Sequence, residues 1–338
     1  MPSLTRRDLF ALTTATAAAT LLPTGIAAAG PPSARPAGGH GRPGALTASA
    51  PRLHPEGVAW DPTRGAFLVS SARHGTVSVV RRDGSVRTLI ADPAMVSTLG
   101  VHVDLRRRRV LVAFADLGVG ERSASETIFQ RSGLGIFDLA TGRPLHLVSL
   151  TGIPGGHAAN DLAIDPAGNA YVTDPAADGV YRVDPAGRVT VLVRDPRLAD
   201  PNAGLGGIVW HPAGFLLAVA YTTGELWRIG AGGDVRPVDL DRPLVGGDGL
   251  ALLPSGALVA VTNSVLAPGA DAVQTLRGDG GWARARTFHR VAPWPDRAPS
   301  TATVTPAGVH VLAGSLDLLF QQGVTADTFT IRRYVPRA

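Results

Sequence analysis

One hairpin pattern is written six times along this chain. Its clearest copy, NDLAIDPAGNAYVTD at 160–174, is an alternating apolar run, a Pro-Ala-Gly turn and a second alternating run. That pattern is a β-hairpin with one buried face. The other copies are PEGVAWDPTRGAFLVSS (55–71), STLGVHVDLRRRRVLVAFAD (97–116), LGGIVWHPAGFLLAVAY (205–221), GDGLALLPSGALVAVTN (247–263) and PSTATVTPAGVHVLAGS (299–315). The matched positions Glu56, Leu99, Asn160, Gly206, Asp248 and Ser300 are spaced by 43, 61, 46, 42 and 52 residues. A weaker strand pair follows each copy, as in GVYRVDPAGRVTVLV at 179–193. Four short strands per unit of about 40–50 residues describe a propeller blade. The expected fold is therefore all-β, a six-bladed β-propeller with four antiparallel strands per blade, over residues 51–336. A single β-sandwich would not need six copies of one hairpin.

The chain ahead of the repeats reads differently. Arg6 and Arg7 precede a mildly apolar run that ends at Ala27-Ala28-Ala29. Residues 1–29 thus read as a twin-arginine export signal, which implies a secreted or extracytoplasmic protein and the export machinery as the precursor's partner. Residues 30–50 are rich in Pro, Gly and Ala and read as a flexible leader. No stretch approaches the length of a stable membrane span.

Composition removes several chemistries. With no Cys there is no disulfide framework, thiol nucleophile or thiolate metal site. The net charge of +5 comes from scattered arginines. The one basic run, Arg106 to Arg109, falls in a hairpin turn and reads as a solvated turn. No interleaving of aromatic and basic residues suggests a nucleic-acid partner. There is no G-x-S-x-G elbow, no H-E-x-x-H and no P-loop.

Propeller geometry turns repeat positions into places. The Pro-x-Gly turns 166–168, 212–214, 254–256 and 306–308 belong to one face. The six matched positions ring the channel mouth on the other. Glu56 is one of only four glutamates in the chain. With Asn160 and Asp248 it forms a hard oxygen-donor set, the kind that calcium prefers. Without a cation the two carboxylates would repel and a pKa would rise. Asp116, Asp174, Tyr221 and Asn263, at the second-strand ends, are expected on the same face, and Asp116, Asp174 and Asn263 are candidate substrate contacts there. Asp161, next to Asn160, is expected to hydrogen-bond backbone.

The copies PEGVAWDP, NDLAIDPAGNAYVTD and GDGLALLPSG resemble the senescence-marker-protein, gluconolactonase and luciferin-regenerating-enzyme family. The resemblance runs over about residues 54–320 and implies a six-bladed propeller with a divalent cation, usually calcium, at the channel mouth. It implies Glu, Asn, Asn and Asp ligands from four blades. Glu56, Asn160 and Asp248 match three of these. At the fourth, the family's L-N-G-I is replaced by Leu205-Gly206-Gly207-Ile208. Asn202 or a water would have to fill that place. The family's Asp ligand is its favoured base, which carries over to Asp248. His157 is a second candidate. Ala158 stands where sugar-lactone members carry an Arg, so aldonolactones are not the expected substrate.

Three insertions, 117–132, 264–272 and 316–326, fall on the mouth face. The last holds Leu316, Leu318, Leu319 and Phe320 in what reads as a loop. Either they cover a partly apolar substrate pocket, or the last one plugs the channel structurally. The functional expectation is a monomeric, metal-dependent hydrolase of a small lactone or ester. The alternative is a non-enzymatic propeller that binds a small ligand or partner on the same face. A cavity over the three oxygens favours the first, and a broad exposed patch the second.

Overall fold

The computed structural model describes residues 44–336. The twin-arginine segment and most of the leader lie outside them. The leader's end, however, is a strand, β1 (Ala45–Ser49). Then follow β2 (Val58–Asp61), β3 (Ala66–Val69), β4 (Thr76–Val80) and β5 (Val86–Ala91). Next are β6 (Ser97–Asp104), β7 (Arg109–Ala115), β8 (Ser132–Asp138) and β9 (Pro144–Ser149). The third group is β10 (Leu162–Ile164), β11 (Ala170–Thr173), β12 (Gly179–Val183) and β13 (Val189–Arg194). The fourth is β14 (Leu205–His211), β15 (Phe215–Ala220), β16 (Leu226–Gly230) and β17 (Val235–Leu240). The fifth is β18 (Gly247–Leu252), β19 (Leu258–Thr262), β20 (Ala272–Gly278) and β21 (Arg284–Val291). The chain ends with β22 (Pro299–Thr305), β23 (Gly308–Ala313), a helix α1 (Leu316–Gln322) and β24 (Thr328–Tyr334).

The fold is all-β, built of antiparallel four-stranded sheets as the repeats predict. β2–β5, β6–β9 and β10–β13 each form one sheet in chain order. β22, β23 and β24 form another, with β1 as its outer strand. The fifth sheet has eight strands. It consists of two antiparallel quartets, β14–β17 and β18–β21, whose outer edges meet in a short parallel pairing of Asp239-Leu240 with Arg284-Ala285. Each quartet's first strand lies beside the next: β2 by β6, then β10, β14, β18 and β22, and β22 again by β2.

Apolar side chains fill the gaps between neighbouring quartets. Leu68, Val77 and Ile90 pack on Val101, Val112 and Phe137. At the ring's seam, Phe67 and Val69 pack on Leu312, Phe329 and Ile331. Each such buried side chain contributes about 1.5–3 kcal/mol. The Pro-x-Gly turns are as expected, with Gly168, Gly214, Gly256 and Gly308 at φ of 88°, 91°, 82° and 107°.

Two expectations are corrected. Residues 45–49 are not patternless leader. Ala48 is buried against Leu53, Val58 and Phe329 while its neighbours pair with β24, so tertiary contacts order a segment with little pattern of its own. The 316–326 insertion is not a plain loop either. Leu316 and Leu319 lie one turn apart and are buried with Ala72, Val265 and Ala298, which makes 316–322 a short amphipathic helix. Gly323, at φ 64°, ends it. No helix among the described residues is long and apolar enough to cross a membrane.

Candidate active site

The ring positions leave the hairpin register. Pairing shifts between Thr98 and Val101, Leu205 and Ile208, Gly247 and Leu250, and Pro299 and Thr301. Leu99, Gly206, Asp248 and Ser300 sit in these bulges, whereas Glu56 and Asn160 come just before their strands. A bulge re-aims a side chain out of the alternation. The following residue is glycine in four units: Gly57, Gly100, Gly207 and Gly249. There the inner strands nearly touch. A Cβ on Gly207 would lie 2.5 Å from the Asp248 carbonyl oxygen, and one on Gly249 would strike Thr301. In the third unit the equivalent residue is Asp161. Its carboxylate accepts the Leu162 N–H at 2.8 Å and the Ile208 N–H of the next quartet at 3.1 Å. His102 Nε2 is 3.5 Å away.

Five of the six ring residues, Glu56, Leu99, Asn160, Gly206 and Asp248, line one cavity of about 790 Å³. The sixth, Ser300, is buried and donates its hydroxyl to the Glu56 carbonyl at 2.6 Å. Glu56 is only 7% exposed. Its Oε2 and the Asn160 Oδ1 are buried without a hydrogen-bond partner. Burial, with the Asp248 and Asp161 charges nearby, holds the Glu56 carboxyl well above the usual carboxylate range. Burial likewise raises Asp248 to about 7, the Asn263 hydrogen bond opposing and Asp161 adding to it. Among the described residues no three His, Asp or Glu side chains gather as a metal group. The donor set is therefore two carboxylates and one amide oxygen.

The other candidates lie beneath the cavity wall and do not line it. Asn263 is fully buried. Its Nδ2 donates to Asp248 Oδ2 at 2.7 Å and to the Pro299 carbonyl at 3.0 Å. Its Oδ1 accepts the Val265 N–H at 3.0 Å and the Tyr221 hydroxyl. Asp116, also buried, accepts from Gly118 N, Ser123 Oγ and Thr127 Oγ1 at 2.9, 2.7 and 2.6 Å, and so shapes the 117–131 loop. Asp174 accepts from Ala158 N and Ala176 N at 2.8 and 3.0 Å. Each of the three thus caps the backbone two residues on, the ordinary work of Asx residues at turns. His157 is 6% exposed, with Nδ1 3.9 Å from Asp174 Oδ2, and burial lowers its pKa. Its N–H donates to the Phe129 carbonyl at 2.9 Å. In the Arg run, Arg106 to Arg108 are exposed, as a solvated turn would be, whereas Arg109 is buried, pairs with Asp104 at 3.0 Å and bonds the Gly168 carbonyl.

Gly206 lines the cavity, but a Cβ there would lie 2.7 Å from the Gly247 carbonyl oxygen. The close approach of β14 to β18 occupies the place of a side chain. Asn202 is exposed and also lines the cavity. Sequence reasoning missed Tyr221 as a holder of Asn263, because its partner comes from another unit.

The insertions meet above the floor. Leu117, Val119, Phe129, Leu266, Leu316 and Phe320 line the cavity. Gln321 Nε2 donates to the Ser264 and Val265 carbonyls at 2.9 and 3.0 Å, and Arg297 pairs with Asp317 at 2.5 Å. The expected partly apolar pocket is present.

No protein-family model matches the sequence, and no curated protein matches it. Solved structures do. A gluconolactonase from Xanthomonas campestris is 18% identical, with a TM-score of 0.58 over 85% of this chain and 88% of that one. A calcium-binding protein, regucalcin, from Agrobacterium tumefaciens is 18% identical, with a TM-score of 0.57 over 85% and 94%. A virginiamycin B lyase from Staphylococcus aureus is 11% identical, with a TM-score of 0.55 over 86% and 99%. The likeness establishes a shared fold, which these proteins put to different uses.

Proposed function

We propose that this chain is a six-bladed propeller hydrolase that opens a lactone or ester with a divalent cation, calcium, at the cavity floor. The ring of first strands supports the six-bladed reading. The observation that carries the site is the pair Glu56 Oε2 and Asn160 Oδ1, both buried and unpartnered, beside Asp248 in one cavity. Leaving buried polar atoms unpaired costs free energy, and an oxygen-only donor set suits a hard cation. The residues present therefore fit calcium, and Glu56, Asn160 and Asp248 would hold it. When bound, the cation supplies positive charge that polarises an acyl carbonyl and acidifies water. The likeness to a gluconolactonase and a calcium-binding regucalcin agrees with this reading.

The chain's own residues supply the rest. Asn263 Nδ2 fixes Asp248 Oδ2, leaving Oδ1 to take a proton from the attacking water. The water oxygen bonds to the acyl carbon, the carbon–oxygen bond to the leaving group breaks, and the proton passes to the leaving oxygen. The apolar walls limit bulk water and strengthen charge interactions at the floor. His157 and Asp174 lie behind the cavity wall, where the Asp174 carboxylate holds the neighbouring loop through the Ala158 and Ala176 N–H groups.

The test is thermal melting and lactone or ester hydrolysis, followed with calcium and with EDTA, for wild type and Asp248→Ala. A cation at about 100 times its Kd stabilises by roughly 2.7 kcal/mol, on the order of several degrees in Tm. The expected result is a calcium-dependent rise and hydrolysis, both lost in the variant. No shift with any divalent cation sinks the metal reading. Calcium-dependent binding without turnover makes the protein a binder.

A further inference from the structure

We infer that the cavity selects uncharged lactones or esters bearing an alkyl or aryl arm; this rests on the hydrolase reading above. The first observation is charge. Among the described residues that line the cavity there is no Arg and no His, and the chain has no Lys. The floor is acidic through Glu56 and Asp248, and Glu126 adds a carboxyl at the exposed rim. An anionic substrate would meet no counter-charge from the wall, so sugar acids and phosphoesters are disfavoured.

The second observation is the wall. Leu117, Val119, Ile128, Phe129, Leu266 and Phe320 are each only half-buried, and all line this cavity. The polar lining residues Ser125, Gln130 and Asn202 are exposed at the rim, and the Tyr221 hydroxyl is already engaged with Asn263 and Leu266. A polyol would leave its hydroxyls unpaired against this wall, whereas an apolar arm would bury its surface there. At about 790 Å³ the cavity has the size of a drug-sized ligand site, well beyond a bare five-membered lactone.

The third observation is that the wall is built in advance. Phe129 holds a left-handed backbone, φ 55°. Strain of that kind persists only where surroundings over-determine it. Here the Phe129 N–H donates to the Asp116 carbonyl and its own carbonyl accepts from His157 N, both at 2.9 Å. On the opposite side Gln321 and the Arg297–Asp317 pair tie α1 down. A preformed apolar wall spares the ligand an ordering cost.

The experiment combines binding and turnover. Pyrrolidin-2-one and 5-pentylpyrrolidin-2-one, lactams that resist hydrolysis, are titrated calorimetrically into the calcium-loaded protein. Turnover is compared for γ-butyrolactone, γ-nonalactone and D-glucono-δ-lactone by pH-stat. Burial of a methylene predicts up to about four-fold per carbon. The pentyl lactam is thus expected to bind at least a hundred-fold tighter, and γ-nonalactone to lead in kcat/KM. Phe320→Ser and Leu266→Gln are each expected to cut the pentyl preference at least ten-fold, with calcium binding kept. Equal binding of the two lactams, or a preference for gluconolactone, overturns the inference and leaves the hydrolase reading standing. A pentyl preference without turnover of any lactone or ester keeps the apolar-arm selectivity and overturns the hydrolase reading.

Discussion

Asn263 is the side chain through which Asp248 is held, since its amide joins that carboxylate to Pro299, Val265 and Tyr221. In Asn263→Ala the Tyr221 hydroxyl and the Val265 N–H lose their acceptor. A buried polar group left unpaired costs about 1–3 kcal/mol. The expected result is a Tm lower by several degrees, by calorimetry, and calcium binding weakened on the order of ten-fold. The acid pair sets the pH response. The folded-state pKa values of Glu56 and Asp248 are raised, Asp248 to about 7 from an ordinary 3.8. The fold thus binds more protons than the unfolded chain between those values, and its stability falls as pH rises through that window. A cation must displace those protons below pH 7 and neutralises the repulsion above it. Calcium-induced Tm shifts are therefore expected to be larger at pH 8 than at pH 5. Equal shifts at both values would show that Asp248 is not a ligand.

At the scale of the element, the ring depends on strands that come too close for side chains. Gly249 lies against Thr301 and Gly57 against the Leu99 carbonyl. Gly249→Val must separate β18 from β22 at the floor. The expected cost is about 1–3 kcal/mol, seen as a lower Tm and weaker calcium binding together. A fall in Tm alone would mean that Asp248 is indifferent to the strand spacing. The same closeness explains Gly206: an asparagine there has no room unless β14 moves. The insertions act through one another, with α1 bonded to the 264–271 segment through Gln321. The helical spacing of Leu316 and Leu319 was present in the chain, but seven residues are too few to form a helix without tertiary packing.

At the scale of the whole molecule, β1 and β24 join the two ends of the described chain in one sheet. β1 brings Leu46 and Ala48 to the cluster between the last and first quartets. Deleting residues 44–49 opens that sheet and exposes part of the cluster. The expected loss is several kcal/mol, on the order of 10 °C in Tm, measured by thermal melting. An unchanged Tm would show that the seam is held by side-chain packing alone. The opposite edge contact, between β17 and β21, has only two residue pairs and is reinforced by Arg286 on Asp239 at 2.9 Å.

Local pattern was enough for the hairpins, their Pro-x-Gly turns and the six ring positions. Strand alternation and turn chemistry act over a few residues, and the repeat multiplies a weak signal. The same reasoning placed Glu56, Asn160 and Asp248 at one mouth, because equal places in equal units share one face. It did not separate the residues that face the cavity from those that support it. Asp116, Asp174 and Asn263 stand at strand ends like ligands, yet each spends an oxygen on the backbone two residues ahead. Which way a polar side chain turns depends on bulges and on partners far along the chain, such as Tyr221 for Asn263. The role of β1 was hidden for the same reason. Its five residues take their backbone pairing from β24, more than 270 residues away in sequence, and contact between such distant segments leaves no mark in local periodicity.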